Sequence, residues 1–483
     1  MSRNQNPADP NATRRSANAP KPFDPIPSPR QLAWHELELY GFVHFTVNTF
    51  TDREWGYGDE SPSVFAPTEF SADQIAGAAA EGGLAGLILT CKHHDGFCLW
   101  PSRYSDHTVR RSPWRSGEGD MVRELADACR GRGLRFGVYL SPWDRNHPDY
   151  GRPAYLTYYR NQLEELTSEY GELFEVWFDG ANGGDGYYGG ARETRTIDRK
   201  TYYDWEPTWD IVRRNQPGAV MFSDAGPDIR WIGNERGVAG DPCWATLTRD
   251  GLYPGMDDPS GTSRELLNHG DPEGSHWLPG ECDVSIRPGW FYHASEDSSV
   301  RSPDNLFDIY LQSVGRGANL LLNLPPDRRG RIHETDATSL AGFRRRRDRL
   351  FARNLAAGAA VTTSSTRAGG LAFAPANLID GDRDTYWMPD VAGTAQVVID
   401  FGRDVTFTTV RIREVIALGQ RVRGFAIDVD RDGWTQIAAG QSIGARRICH
   451  GGRMQTRRVR VRITASAAPV ALNEVGIYLD DRG

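Results

Sequence analysis

The sequence predicts an α/β protein: a (β/α)8-like (TIM) barrel followed by an all-β sandwich domain. Between residues 38 and 354, near-continuous apolar or β-branched runs alternate with helical patterns, as in a parallel sheet covered by helices. After 355 the helical patterns stop and short alternating strands separated by turn residues begin. No Gly-rich phosphate loop follows any run, which removes the nucleotide-binding motive for an open doubly wound sheet, the alternative arrangement. At 483 residues the chain is too long for one ordinary domain. The boundaries read as a disordered N-terminal tail over 1–29, a barrel over 30–354 and a sandwich over 355–483.

In order, barrel strands are expected at 39–48, 84–91, 134–141, 174–179, 219–224, 284–292 and 319–324, with 242–247 a weak candidate for the eighth. Ser71 is a good N-cap for a helix beginning SADQ. Apolar residues at three- and four-residue spacing place helices over 120–131 and 154–170, and further helices fit 204–215, 304–316 and 334–354. Beyond them AQVVIDFG, FTTVRIREV, RGFAIDVD and TRRVRVRIT read as sandwich strands.

A formal charge of -8 and a pI near 5.8 argue against nucleic acid or an anionic membrane as partner. Lys21, Lys92 and Lys200 are the lysines, so nearly all positive charge is arginine, a composition effect. Six scattered cysteines without a CxxC pair read as reduced thiols. No run approaches the roughly 18 apolar residues of a membrane span. Arg14-Arg15 lack a following apolar stretch, so no export signal is visible and a cytoplasmic location is expected.

Chemistry clusters where the strands end. The first strand releases His44 and then Glu54-Trp55, the second Lys92-His93-His94-Asp95, and the third Tyr139 and Trp143-Asp144. The fourth gives Trp177 and Asp179, the fifth Asp224. In a parallel barrel these ends form one mouth, where active sites lie. Trp55, Trp100, Trp143, Trp177, Trp231 and Trp290 offer an aromatic lining. Flat aromatic faces beside carboxylates and imidazoles suit a pyranose, and carboxylates supply the acid, base or nucleophile of glycosidic cleavage. Asp179, closing the apolar run FEVWFDG, is the leading candidate. His93 and His94 read as sugar ligands or supports rather than metal ligands, because neighbours on an extended chain point apart and no H-x-H or HExxH accompanies them. Lys92 reads as a salt-bridged lysine, Cys98 as a small buried residue, Arg344 to Arg347 as a solvated helix face, and Trp387 as core or ligand-facing.

HFTVNTF-x3-EWGYG, KHHDGFCLWPS, YLSPWD and EVWFDG, in this order, resemble glycoside hydrolase family 29, the α-L-fucosidases, over residues 30 to 350. SDAGPDIRWIGNE and PGECDVSIRPGWFYH look like the branch preferring α-1,3/1,4-linked fucose on branched glycans. The resemblance implies a retaining exo-α-L-fucosidase on a (β/α)8-like barrel, with no metal and no cofactor for catalysis. It implies Asp179 as nucleophile, His44, His93 and His94 as fucose-hydroxyl ligands, and Glu54, Trp55, Tyr139 and Trp177 as subsite-lining positions. Arg287 becomes a candidate sugar ligand. The acid/base position varies across the family. Here it falls on Glu235, with Glu281 of PGECD second and Asp228 third. NLIDGD followed by DTYW resembles the opening of the discoidin-like (F5/8 type C) sandwich over 356–480, a fold that often binds carbohydrate and can hold a structural Ca2+ in an acidic loop. The expected partners are fucosylated oligosaccharides or glycoconjugates. The rival expectations are a non-catalytic, lectin-like glycan binder and a glycosidase for a related sugar such as galactose.

Overall fold

A computed structural model describes residues 20–257 and 261–480. Eight parallel strands close into a barrel: β1 (Leu39–Val43), β2 (Gly86–Lys92), β3 (Arg135–Leu140), β4 (Glu175–Trp177), β5 (Val220–Ser223), β6 (Ile229–Trp231), β7 (Gly280–Ser285) and β8 (Asn319–Asn323). β1 pairs with β8 through Leu39 to Phe42 opposite Leu320 to Asn323, which closes the ring. Alternate residues face inward, so Tyr40, Phe42, Ile88, Tyr139, Trp177, Phe222 and Leu321 fill the interior, and Trp34 plugs its base. Trp34 comes from α1 (Pro29–His35), which starts at a capping box between Ser28 and Gln31.

The outer helices are α2 (Ala72–Glu81), α3 (Met121–Gly131), α4 (Pro153–Glu169), α5 (Trp205–Asn215), α6 (Thr262–His269), α7 (Pro303–Gln312) and α8 (Glu334–Phe351). Ser71 caps α2 as expected, its hydroxyl accepting the Gln74 N–H. The α8 arginines are less solvated than the sequence suggests. Arg344 donates to the carbonyls of Ala80 and Glu81 in the last turn of α2, and Arg346 binds Asp304 and Asp480.

Two strand positions differ from expectation. The eighth strand is β6, three residues long and reached from β5 without an intervening helix, while Thr246–Leu247 instead pairs antiparallel with His276–Trp277. The expected strand 284–292 is displaced to 280–285. Its inward positions are Glu281, Asp283 and Ser285, so the apolar signal lies on Cys282 and Val284 facing the helices, and residues 286–292 form the loop that follows.

Beyond α8 lies an antiparallel sheet of β9 (Ala360–Thr363), β10 (Ala395–Glu414), β11 (Val422–Asp430), β12 (Trp434–Gly440), β13 (Arg447–Ser466) and β14 (Leu472–Tyr478), ordered β9-β10-β13-β11-β12 with β14 on β10. The segments AQVVIDFG and FTTVRIREV are one strand, β10, carried across a register shift between Asp400 and Val405. Trp387 is core, fully buried, its indole donating to the Ser365 carbonyl.

Residues 1–19 of the expected tail lie outside the described residues. Residues 20–28 lie along the C-terminal domain: Phe23 N donates to Leu418 O at 3.0 Å and the Arg421 guanidinium to Lys21 O. At the base of β1, Glu38 accepts from Arg413 (2.9 Å), Arg446 (3.2 Å) and Arg383 (3.3 Å), all from the sandwich. Burial pushes Glu38 up, but Arg446 and Arg413 outweigh it and hold its carboxyl well below the usual range. Glu38→Ala leaves Arg446 buried without its counter-charge. It is expected to cost about 2–3 kcal/mol, below the roughly 3–5 kcal/mol of a sealed pair because Glu38 keeps 23% of its side-chain exposure; the shift in the denaturation midpoint checks this. A depressed pKa gives stability that is present above the unfolded value and lost as pH falls, so the deficit should shrink in acid.

None of the six cysteines is paired. Among the described residues no helix is long and apolar enough to cross a membrane.

Candidate active site

The strand C-termini surround a cavity of about 370 Å³. Asp179 lies two residues beyond Trp177, the last residue of β4, and its carboxylate is held from two sides: Ala181 N donates to Oδ1 at 2.7 Å and the Tyr139 hydroxyl to Oδ2 at 3.0 Å. Burial raises its pKa, and these two donors oppose the rise by stabilising the anion. Behind it, Asp224 accepts Gly255 N at 2.9 Å, and burial first, then the nearby Asp179 charge, pushes it up to about 6. A Cβ on Gly180 would meet Asp224 Oδ2 at 2.3 Å, so any side chain here would displace that carboxyl.

One wall carries three imidazoles that burial keeps neutral, His44 and His94 at about 3 and His93 well below its usual value. Their tautomers follow from their partners. Asn323 Nδ2 donates to Trp290 O at 2.8 Å, so Asn323 Oδ1 accepts from His44 Nδ1–H at 2.8 Å. Ser141 Oγ donates to Trp143 O, so it accepts from His94 Nδ1–H at 2.7 Å. In both rings Nε2 is left as an acceptor, suited to a sugar hydroxyl. His93 Nδ1 is buried and hydrogen-bonds to no described residue. The expected divergence of His93 and His94 does not occur: their ring centroids are 4.0 Å apart and both line the cavity, because the strand stops at Lys92 and the chain turns. Lys92 itself is buried behind them against Asp144 (3.0 Å) and Gln162 (2.9 Å).

The floor adjoining the imidazoles is apolar, beginning with Phe42, whose ring meets His44 at 4.5 Å. Trp177 stacks on Phe222 at 4.0 Å and meets Phe42 edge-on at 5.1 Å. An acceptor wall beside an aromatic floor suits a deoxyhexose, whose methyl group packs on rings while its hydroxyls reach the imidazoles. Trp55, 53% exposed, stands at the rim edge-on to His94 and Trp143. Glu54 also lines the cavity, but its oxygens accept Trp290 N (2.8 Å), Phe291 N (3.1 Å) and His293 Nε2 (2.8 Å).

Glu235 enters from the loop after β6. Burial raises its pKa; the Trp290 indole, 3.2 Å from Oε2, lowers it and the Asp179 charge raises it further. Asp283 and Arg264, which the sequence reading passed over, share this side of the cavity. Asp283 accepts from the Trp231 indole at 3.0 Å and burial pushes it well up. The alternation Glu281-x-Asp283 in β7 was the available signal.

Five of the candidates do not line the cavity. Tyr139 is fully buried and reaches the site only through the hydroxyl it donates to Asp179. Glu281 points into the barrel below Trp177, accepting its indole N–H at 2.8 Å and the Tyr40 hydroxyl, and it faces Glu175; burial and the Glu281 charge push the Glu175 carboxyl well up. Asp228 is bound by Arg30, Arg213 and Met221 N. Arg287 forms a two-pronged pair with Asp336 (2.8 Å each) and a third contact with Asp297 (2.9 Å) on the helix side of β7. Trp100 is buried, donating to Glu165 at 2.9 Å.

Among the described residues no three His, Cys, Asp or Glu side chains converge as a metal site. In the acidic loop Asp380 accepts Asp382 N and the Thr385 hydroxyl, and Asp382 accepts Asp384 N, so these carboxylates cap their own turns.

Comparison with known proteins bears on this geometry. The alpha-L-fucosidase family model matches residues 29–343, and the F5/8 type C domain model matches 360–475. Alpha-L-fucosidase 1 of Arabidopsis thaliana is 41% identical over 95% of this chain and 89% of its own length. The crystal structure of a putative alpha-L-fucosidase from Bacteroides thetaiotaomicron superposes with a TM-score of 0.86 at 37% identity, covering 96% of this chain and 99% of that one. A Ruminococcus gnavus GH29 fucosidase in complex with fucose superposes at 0.85 and 31% identity, with 96% of each chain covered.

Proposed function

The chain belongs to the alpha-L-fucosidase family and is an α-L-fucosidase, and from that premise we propose a retaining exo-enzyme that removes terminal α-1,3/1,4-linked L-fucose from branched oligosaccharides. The observation that carries this reading is the pairing of Asp179 and Glu235, carboxyls from different strand ends that line one cavity, with the Asp179 charge acting on Glu235. Asp179 attacks the anomeric carbon while Glu235 gives its proton to the leaving oxygen. Glu235 then takes a proton from water, which displaces Asp179 from the glycosyl-enzyme. Linkage preference rests on the SDAGPDIRWIGNE and PGECDVSIRPGWFYH stretches. The cavity side formed by Arg199, Met256 and Arg264 supports it as the place for the rest of a branched glycan.

Two measurements test the proposal. Proton NMR of the first-formed sugar should show α-L-fucose; β-L-fucose would mean inversion. Lewis-type trisaccharides should be hydrolysed much faster than 2-linked fucosyllactose; equal rates would overturn the linkage assignment.

The pH profile of kcat/KM should be bell-shaped. Activity needs Asp179 ionised and Glu235 protonated. Both pKa values are raised, so the acid limb should lie above the ordinary aspartate range and the basic limb above the ordinary glutamate range.

A further inference from the structure

Glu235 sits at an exposed part of the rim, yet a general acid must keep one oxygen protonated and aimed at the leaving group. The contact that orients it comes from Trp290, whose indole N–H donates to Oε2. Trp290 is itself braced at both ends of its backbone: Glu54 accepts its N–H and that of Phe291, and Asn323 donates to its carbonyl. The ring lies against His44, centroids 5.1 Å apart. Behind Glu54, His293 bridges to Asp52 through Nδ1 at 2.7 Å and to Glu54 through Nε2 at 2.8 Å.

We propose that Trp290 is the positioning residue for the acid/base carboxyl, and that Glu54 acts through Trp290 as its brace in addition to lining the cavity. This rests on the reading of Glu235 above. An N–H donated to Oε2 makes that oxygen the unprotonated one and leaves Oε1 to carry the proton to the glycosidic oxygen. After transfer the same N–H stabilises the carboxylate that must deprotonate water. The other charged groups facing Glu235 are Asp179, Glu54, Asp224, Asp283 and Arg264. A substitution that removes only the indole N–H leaves all of them in place.

Trp290→Phe keeps an aromatic ring and loses the donor. On a Lewis-type trisaccharide, whose leaving group needs a proton, kcat/KM should fall about 10–30-fold; on 2,4-dinitrophenyl α-L-fucoside, whose leaving group needs none, the loss should stay within about 3-fold. That residual activity also reports that the variant folds. The basic limb of the trisaccharide profile should move to higher pH, because the donated hydrogen bond favours the anion. Glu54→Gln should show the same selectivity in weaker form. Equal losses on both substrates, or an unmoved basic limb, would overturn the proposal and leave Trp290 a packing residue. Glu235→Gln separates the two layers. If it discriminates between the substrates and Trp290→Phe does not, the positioning role fails. If Glu235→Gln does not discriminate, the assignment beneath it fails and this role with it.

Discussion

Asp179→Asn is expected to lower kcat on the order of 10⁴-fold or more, on an aryl α-L-fucoside and on fucosylated oligosaccharides alike. An amide keeps the size of the side chain; its oxygen can still accept from Ala181 N while its NH2 donates to the Tyr139 hydroxyl oxygen, so the pocket should keep its shape. What disappears is the anion that forms the bond to the anomeric carbon. A good leaving group cannot compensate, because no covalent intermediate forms whatever departs. Measured beside a folded-state control such as the thermal midpoint, activity within tenfold of the parent would remove Asp179 from the chemistry. Protonating Asp179 in the parent should have the same effect, so the acid limb and this substitution report one carboxylate.

Glu235→Gln should behave differently. Loss of a general acid typically costs about 10²–10⁴-fold, but only where the leaving oxygen needs a proton. Natural glycans should therefore suffer the full loss, while an activated aryl fucoside forms the glycosyl-enzyme readily and then stalls for want of a base. Azide needs no base, so it should restore turnover and yield a fucosyl azide. Glu281→Gln is the control: Glu281 lies beneath Trp177 and shares a buried site with Glu175, so its substitution should perturb stability and give no azide rescue. Rescue in Glu281→Gln and none in Glu235→Gln would transfer the role and require the floor of the pocket to open.

The barrel was legible because the inward and outward faces of most strands are both apolar, as in LAGLILTC. The pattern failed where function intrudes. In β7 the inward face bears Glu281 and Asp283, so the strand reads as a loop and its register slides toward the apolar VSI. β6 is three residues long, too short for any period to show. The site was legible at the strand ends, where Asp179, His44 and the His93-His94 pair follow apolar runs directly. It was not legible where roles depend on which partner a side chain finds. Arg287 has the look of a sugar ligand but spends its guanidinium on Asp336 and Asp297, and Glu54 binds the backbone of Trp290 and Phe291. The Asp336 and Glu54 pairings join residues 49 and 236 to 237 positions apart, which local sequence does not encode.

The neutral imidazole wall has a consequence for how the glycone is held. His44, His93 and His94 carry no charge above mildly acidic conditions, so they grip hydroxyls by dipole alone and give dissolved ions nothing to screen. Affinity drawn from this wall is then indifferent to ionic strength, and the wall adds no proton-linked response of its own in the working range.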